Sequence, residues 1–268
     1  MAERVTAGYK YRPLRGLFAT MRNAFAEATA NRRGLVFALA VMILNDAVWV
    51  AFWVVFFHRV GTVRGWDTDG VMLLLAVLTT SAGFSLGLLA NARWIGSIVT
   101  GGQLDATLSL PVATLGHVLV RRVEPTHLGD FVFGIGLFAI AGHPTPKRIA
   151  VFVFVVLVSA ALMTSFLVLT GSLAFFGGRS EGGELGFHAL LLFGAYPVDV
   201  FAGSAKLLLY TVVPAAFVSS IPARLISSFN GRSAAGLVAA AALFIISAHT
   251  IFRVGLRRYA SGSVWTRG

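Results

Sequence analysis

The chain has 268 residues, 57% of them hydrophobic and only 12% charged, with a mean hydropathy of +0.80. Soluble domains carry about 25% charge, so this chain is expected to be an all-α integral membrane protein. The net charge of +11 does not argue for nucleic acid as a partner, because Lys and Arg flank apolar runs, as membrane topology requires, and the absence of cysteine excludes disulfides and thiolate chemistry.

Residues 1–33 carry seven basic residues and no apolar core of the kind a secretory signal needs. Leu14, Leu17, Phe18, Met21 and Phe25 repeat at helical spacing, with Arg15 and Arg22 on another face. This pattern predicts an amphipathic helix on the inner membrane surface, its cations against anionic lipid. Residues 35–57 form the first expected span, broken by Asn45 and Asp46, and residues 71–90 the second. Gly83 and Gly87, spaced as Gly-x-x-x-Gly, are the small residues that let another helix approach closely. Between these spans, Asp67-Thr68-Asp69-Gly70 reads either as an acidic metal loop or, preferably, as a turn with Asp69 capping a helix.

A polar stretch, residues 93–125, separates the second and third spans. Gly101-Gly102 releases the chain, Asp105 is placed to cap a short helix, and Pro111 ends it after one or two turns. Leu104 and Leu108, four apart, are expected to share one face of that helix. Spans three and four are expected at 126–142 and 149–176. Residues 187–200 read as a helix packed at the inner boundary, 202–221 as the fifth span and 234–252 as the sixth, followed by a basic tail from 257. On that topology 16 cations face inward and 6 outward, which puts both termini in the cytoplasm. Arg outnumbers Lys 19 to 3, as in GC-rich bacterial genomes, and the expected location is a bacterial inner membrane.

No nucleotide-binding loop, zinc-protease motif or nucleophile elbow is present, so no catalytic, metal or cofactor residue is assigned. Asp46 stands out. A carboxylate at mid-span costs about 2.5–3.5 kcal/mol on insertion scales, so it must face protein or water. It lines a substrate path, joins a proton relay, or bonds a neighbouring helix through Asn45. Trp49, Phe52, Trp53 and Phe56 form an aromatic stripe beside it that suits interface anchoring and also an amphiphilic cargo.

The order of parts resembles the ABC-2 type permeases, and most nearly the bacterial ABC-2 family transporter proteins of uncharacterised substrate. The resemblance rests on Gly102-Gln103-Leu104-Asp105-Ala106-Thr107-Leu108-Ser109-Leu110-Pro111-Val112, then on Tyr196-Pro197, Pro214 and Pro222. It implies a six-helix, type V exporter-like architecture. It further implies a permease that pairs with a second one, identical or paralogous, over two cytoplasmic ABC ATPases that hold the ATP and magnesium. Gln103, Leu104, Asp105, Leu108 and Pro111 are then the ATPase-coupling residues, and Asn45, Asp46, Trp49 and Trp53 candidates for the substrate path. Lipid-polymer exporters of this type carry sizeable re-entrant helices before the last span, whereas residues 222–233 leave room for little, which argues against such cargo. A membrane enzyme acting on lipid, with Asp46, Asp130 and His249 converging, and a small secondary transporter are the alternatives.

Overall fold

A chain in hydrocarbon must satisfy its backbone polar groups within each segment, which leaves helices as the economical solution. The computed structural model describes residues 13–108 and 113–265, and among them there are helices and no strands. In chain order these are α1 (Pro13–Ala30), α2 (Arg32–Val60), α3 (Thr68–Ala82, continued by a π-helical turn Gly83–Leu88), α4 (Asn91–Thr100), α5 (Leu104–Leu108) and α6 (Thr114–Val120). There follow α7 (Pro125–Ala141), α8 (Pro146–Ser172), α9 (Ala174–Gly177), α10 (Gly182–Gly194), α11 (Gly203–Thr211), α12 (Ile221–Ser227) and α13 (Gly231–Trp265). Pro111, Arg4, Lys10 and Arg12 lie outside the described residues.

The α3 helix is the centre of the bundle, buried from Val71 to Ala82. It packs on α7 and α8, while α8 in turn carries α13, α10 and α4. Four hydroxyls of α3 and its π-helical continuation are engaged. Thr79 and Thr80 donate to the carbonyls of Leu75 and Ala76, Ser81 donates to the Val156 carbonyl 3.3 Å away, and Ser85 bonds Thr164 at 2.7 Å. The last two tie α3 to α8 where no water competes. Gly83 and Gly134 let α3 and α7 touch backbone to backbone: a Cβ at Gly83 would overlap the Phe131 backbone, and one at Gly134 would overlap Thr80. Gly87 faces Leu128 on the same helix. The Gly83/Gly87 face is therefore filled by α7 of the same chain and is not free for a second permease.

Among the described residues four helical stretches are long and apolar enough to cross a bilayer: Arg32–Val60, Thr68–Thr100, Pro146–Gly177 and Gly231–Tyr259. The α7 helix is apolar but short, so not all six expected spans have full crossing length. The expected fifth span is not one helix. Pro214 has no N–H to continue the ladder, and the chain bends by 71° between Gly203–Thr211 and Ala216–Ser227. The second helix of that pair, Ala216–Ser227, runs on into the linker expected at 222–233, so the argument against lipid-polymer cargo, which rested on the shortness of that linker alone, loses its premise. Nor does the segment expected at 187–200 lie along one boundary. It is α10, whose Gly183 abuts the Arg93 carbonyl while the carbonyl of Ala195, just past its last turn, accepts the Trp53 Nε1–H at 3.2 Å. The cap of α3 is Asp67, which accepts the Gly70 N–H at 2.9 Å, and Asp69 lies within the first turn.

In the connection between α10 and α11, Asp199 gathers one end of the bundle. It accepts from Lys206 at 2.7 Å, Arg224 at 2.6 Å and Trp66 Nε1 at 3.1 Å, while Arg64 donates to its carbonyl at 2.8 Å. Lys206 thus shares one end of the bundle with Arg64 and Arg224, which the sequence reading counted on the opposite side from it. Burial alone would raise the Asp199 carboxyl, but the Lys206 and Trp66 hydrogen bonds and the Arg224 charge bring it below the ordinary value.

Two expected outcomes follow from this packing. Gly83→Leu lowers the melting temperature of the detergent-solubilised chain by the equivalent of about 1–3 kcal/mol, the usual cost of overpacking, whereas Gly136→Ala, which meets nothing within 4 Å, changes it little. Because the folded-state pKa of Asp199 is depressed, its stabilisation is complete above the ordinary carboxylate range and is lost as pH falls through the lowered value. Asp199→Asn should cost roughly 1–2 kcal/mol near neutral pH, after discounting half-exposed Arg224 and Lys206 for screening, and should flatten that acid limb of a melting-temperature profile.

Candidate functional site: a buried carboxylate cavity and the inner-end knob

Asp46 lies at the middle of α2, where helical continuity keeps its backbone satisfied and leaves only the carboxylate to place. It is 7% exposed, turned away from the apolar outer face that carries Leu44, Val48 and Val55. Asn45 approaches its Oδ1 at 3.5 Å, and Oδ2 has no hydrogen-bond partner. On α7, Asp130 is 3% exposed and its Oδ1 is likewise unpartnered. Both acids line one cavity of about 140 Å³ between α2, α3, α7 and α10, together with Asn45, Trp49, Thr79, Leu191 and Leu192.

The second oxygen of Asp130 is held from below. His127, one turn earlier on α7, places Nδ1 2.9 Å from Asp130 Oδ2, and its Nε2 lies 3.4 Å from Arg93 Nη1. A guanidinium can only donate, so Nε2 accepts and the ring proton sits on Nδ1, where it is given to Asp130. Arg93 is further committed to Glu124 at 3.2 Å and lies over the rings of Trp94 and Phe187. A continuous polar thread therefore runs from Glu124 and Arg93, at the α4–α7 end, through His127 and Asp130 to the cavity that holds Asp46. Above the cavity, Trp49 and Trp53 each meet Tyr196 edge-to-face at 5.9 and 5.6 Å, closing the α2–α10 seam. Trp53 is buried in that closure, so of the two tryptophans Trp49 alone lines the cavity.

Sequence reading found Asn45, Asp46, Trp49 and Trp53 but assigned no role to His127 or Arg93. The His127-x-x-Asp130 spacing, one helical turn, was the available signal. His249, expected to converge with the two aspartates in a lipid enzyme, is instead exposed on α13, and that constellation does not form.

At the inner end, α5 is a five-residue helix between α4 and α6. Its two leucines do not share an exposed face. Leu104 is 1% exposed and, with buried Thr107, seats the helix on the chain, whereas Leu108 is 38% exposed. Positions four apart lie on one side of a helix; here the neighbouring chain covers Leu104 and Thr107 and leaves Leu108, the last residue of α5, partly open. Asp105 is not a cap; it sits in the first turn and accepts the hydroxyl of Tyr259, on α13, at 2.9 Å. Gln103 is exposed and borders a polar cavity of about 630 Å³ between α1, α4 and α6, where Trp94, Arg121 and Arg122 also lie.

No curated protein shows significant similarity to the chain. The family described as ABC-2 family transporter protein matches residues 43–263, from the turn before Asp46 to beyond the last apolar helix, and the chain therefore belongs to the ABC-2 transporter family, as a multi-pass membrane component of an ABC transporter.

Proposed function

We propose that the chain is the permease subunit of an ATP-driven exporter in a bacterial inner membrane, coupled through α5 to separate ATPase subunits. The observation that carries this reading is the family match over residues 43–263, in a chain that has no phosphate-binding loop of its own. ATP and magnesium belong to the two partner ATPases. Crossing runs through α2, α3–α4, α7, α8, α10 and α13, with α11 and α12 re-entering from the outer side. With Lys206 moved outward the cations divide fifteen to seven, which still supports cytoplasmic termini. The α1 helix lies on the inner surface, presenting Phe18 and Phe25, both exposed and two turns apart, to the lipid.

A second permease, a copy or a paralogue, completes the path. The surface that suits it is the outer face of α2, where Leu44, Val48, Phe52 and Val55 stand exposed at helical spacing. That surface flanks the seam bearing Asp46 and Trp49, so a neighbour there would border the cavity.

Two measurements test the reading. Leu108→Asp should strip the ATPase from the complex during co-purification while leaving the melting temperature of the chain unchanged, because Leu108 is exposed. Leu104→Asp should instead destabilise the chain itself, by about 3 kcal/mol or more for a carboxylate introduced at a fully buried leucine. Full retention of the ATPase by the folded Leu108→Asp complex rejects α5 as the coupling element. Since the chain contains no cysteine, a single Val48→Cys substitution should give an oxidatively cross-linked dimer in native membranes if the pair is formed by two copies through α2.

A further inference from the structure

We propose that the cavity between α2 and α7 seats a cationic head group bearing N–H donors on an apolar tail, so that the cargo class is a primary-amine amphiphile. The inference rests on the permease reading above for its transport consequence, but its site stands on geometry alone. Two carboxylates from different helices line the same half-open space at 7% and 3% exposure, and each has one oxygen without a hydrogen-bond partner among the described residues. A buried polar group without a partner is costly, and a buried charge more so. The lining includes neither Lys nor Arg. The nearest part of the polar thread, Arg93, is already engaged by Glu124, His127 and two aromatic rings.

What the cavity lacks is therefore a cation with hydrogens to give. His127 donates to Asp130 Oδ2, which holds that carboxylate in its acceptor orientation and leaves Oδ1 for a ligand. Trp49 presents an indole in the wall, and aromatic faces favour ammonium groups once water is removed. A hard metal ion is a poor match, because calcium takes six to eight oxygen ligands and magnesium a full octahedron, whereas two carboxylates, one amide and the Thr79 hydroxyl are on offer and no three His, Cys, Asp or Glu side chains gather to hold a metal ion among the described residues. Anionic head groups would meet like charge.

Size sets the rest of the ligand. The space of about 140 Å³ corresponds to only a few waters at about 30 Å³ each. It accepts an ammonium and its first methylenes but not a whole amphiphile. The remaining walls, Leu75, Leu78, Phe133 and Leu191, are apolar, and Leu192 stands exposed at the rim. The tail leaves there, beneath the Trp49–Trp53–Tyr196 closure.

The test uses the full chain in lipid nanodiscs, with radiolabelled octylammonium as the probe and octanoate, octanol and octyltrimethylammonium as comparators. Saturable octylammonium binding is expected, with none for octanoate or octanol, and weaker binding for the trimethyl compound, which carries charge without N–H. Asp46→Asn and Asp130→Asn should each weaken binding roughly tenfold or more. Should either fail to fold, Leu192→Trp, which blocks the rim and leaves both carboxylates intact, should reduce binding likewise. Absence of saturable octylammonium binding, or binding unchanged in folded Asp46→Asn and Asp130→Asn, overturns the proposal; equal binding of the trimethyl compound overturns its N–H requirement. If the complex isolated from its native membrane shows nucleotide-driven transport while the chain binds no amine, the cation assignment fails and the permease reading stands. If the chain binds the amine but no ATPase accompanies it, the site stands and the permease reading fails.

Discussion

The contact between α3 and α7, made without side chains at Gly83 and Gly134, is the constraint from which the other positions follow. In hydrocarbon there is no hydrophobic drive to bring two apolar helices together, so close backbone approach and dispersion must supply it. That approach presses α7 into α3 and leaves α2 resting mainly on α7. With α7 fixed, Asp130 is brought to the same cavity as Asp46, a residue 84 positions earlier in the chain. The π-helical turn after α3 contributes as well. Its Gly87 carbonyl accepts the Glu124 N–H at 2.8 Å, which fixes the start of α7 and the level at which His127 enters.

Charge is concentrated where it can be answered. At the α4–α7 end Arg93, Arg122, Glu124 and His127 form one network; at the other end Asp199 answers Lys206 and Arg224. Between these ends, two carboxylate oxygens remain without a partner. Glu124 and Glu184 also keep one oxygen each without a hydrogen-bond partner, but Glu124 is ion-paired with Arg93 and Arg122, whereas no Lys or Arg lines the cavity that holds Asp46 and Asp130. In the inner knob Leu104 is a root and Asp105 is held by Tyr259, so α5 is tied to the last helix as well as to its own neighbours. A push on α5 would reach α13 through that bond, and α8 through α13.

Much of this was legible in the sequence. Helix positions, the break at the polar stretch and the oddity of Asp46 could be read from spacing and composition, whereas the kind of transporter came from a resemblance of short motifs to a known family. The errors share one origin. Leu104, Lys206 and residues 202–221 were each placed by local pattern, and each was decided by packing against residues distant in sequence or by a proline whose bend only the packed bundle could accommodate; Asp69 missed the cap by two residues, the neighbouring Asp67 taking it.

The amino-acid sequence by itself determined that the chain is helical and membrane-embedded, because apolar runs of that length admit no other way to satisfy a backbone. It could not say which helix is central. The most apolar 18-residue windows of Arg32–Val60 and Thr68–Thr100 have mean hydropathies of 2.2 and 2.0, yet 6% of the first window and 83% of the second is buried. In a soluble protein, polarity marks the outward face; in a bilayer, lipid and protein core are equally apolar, and that mark disappears. Only the tertiary structure chose α3 as the core, turned Asp46 inward, and gave it Asp130 as its neighbour.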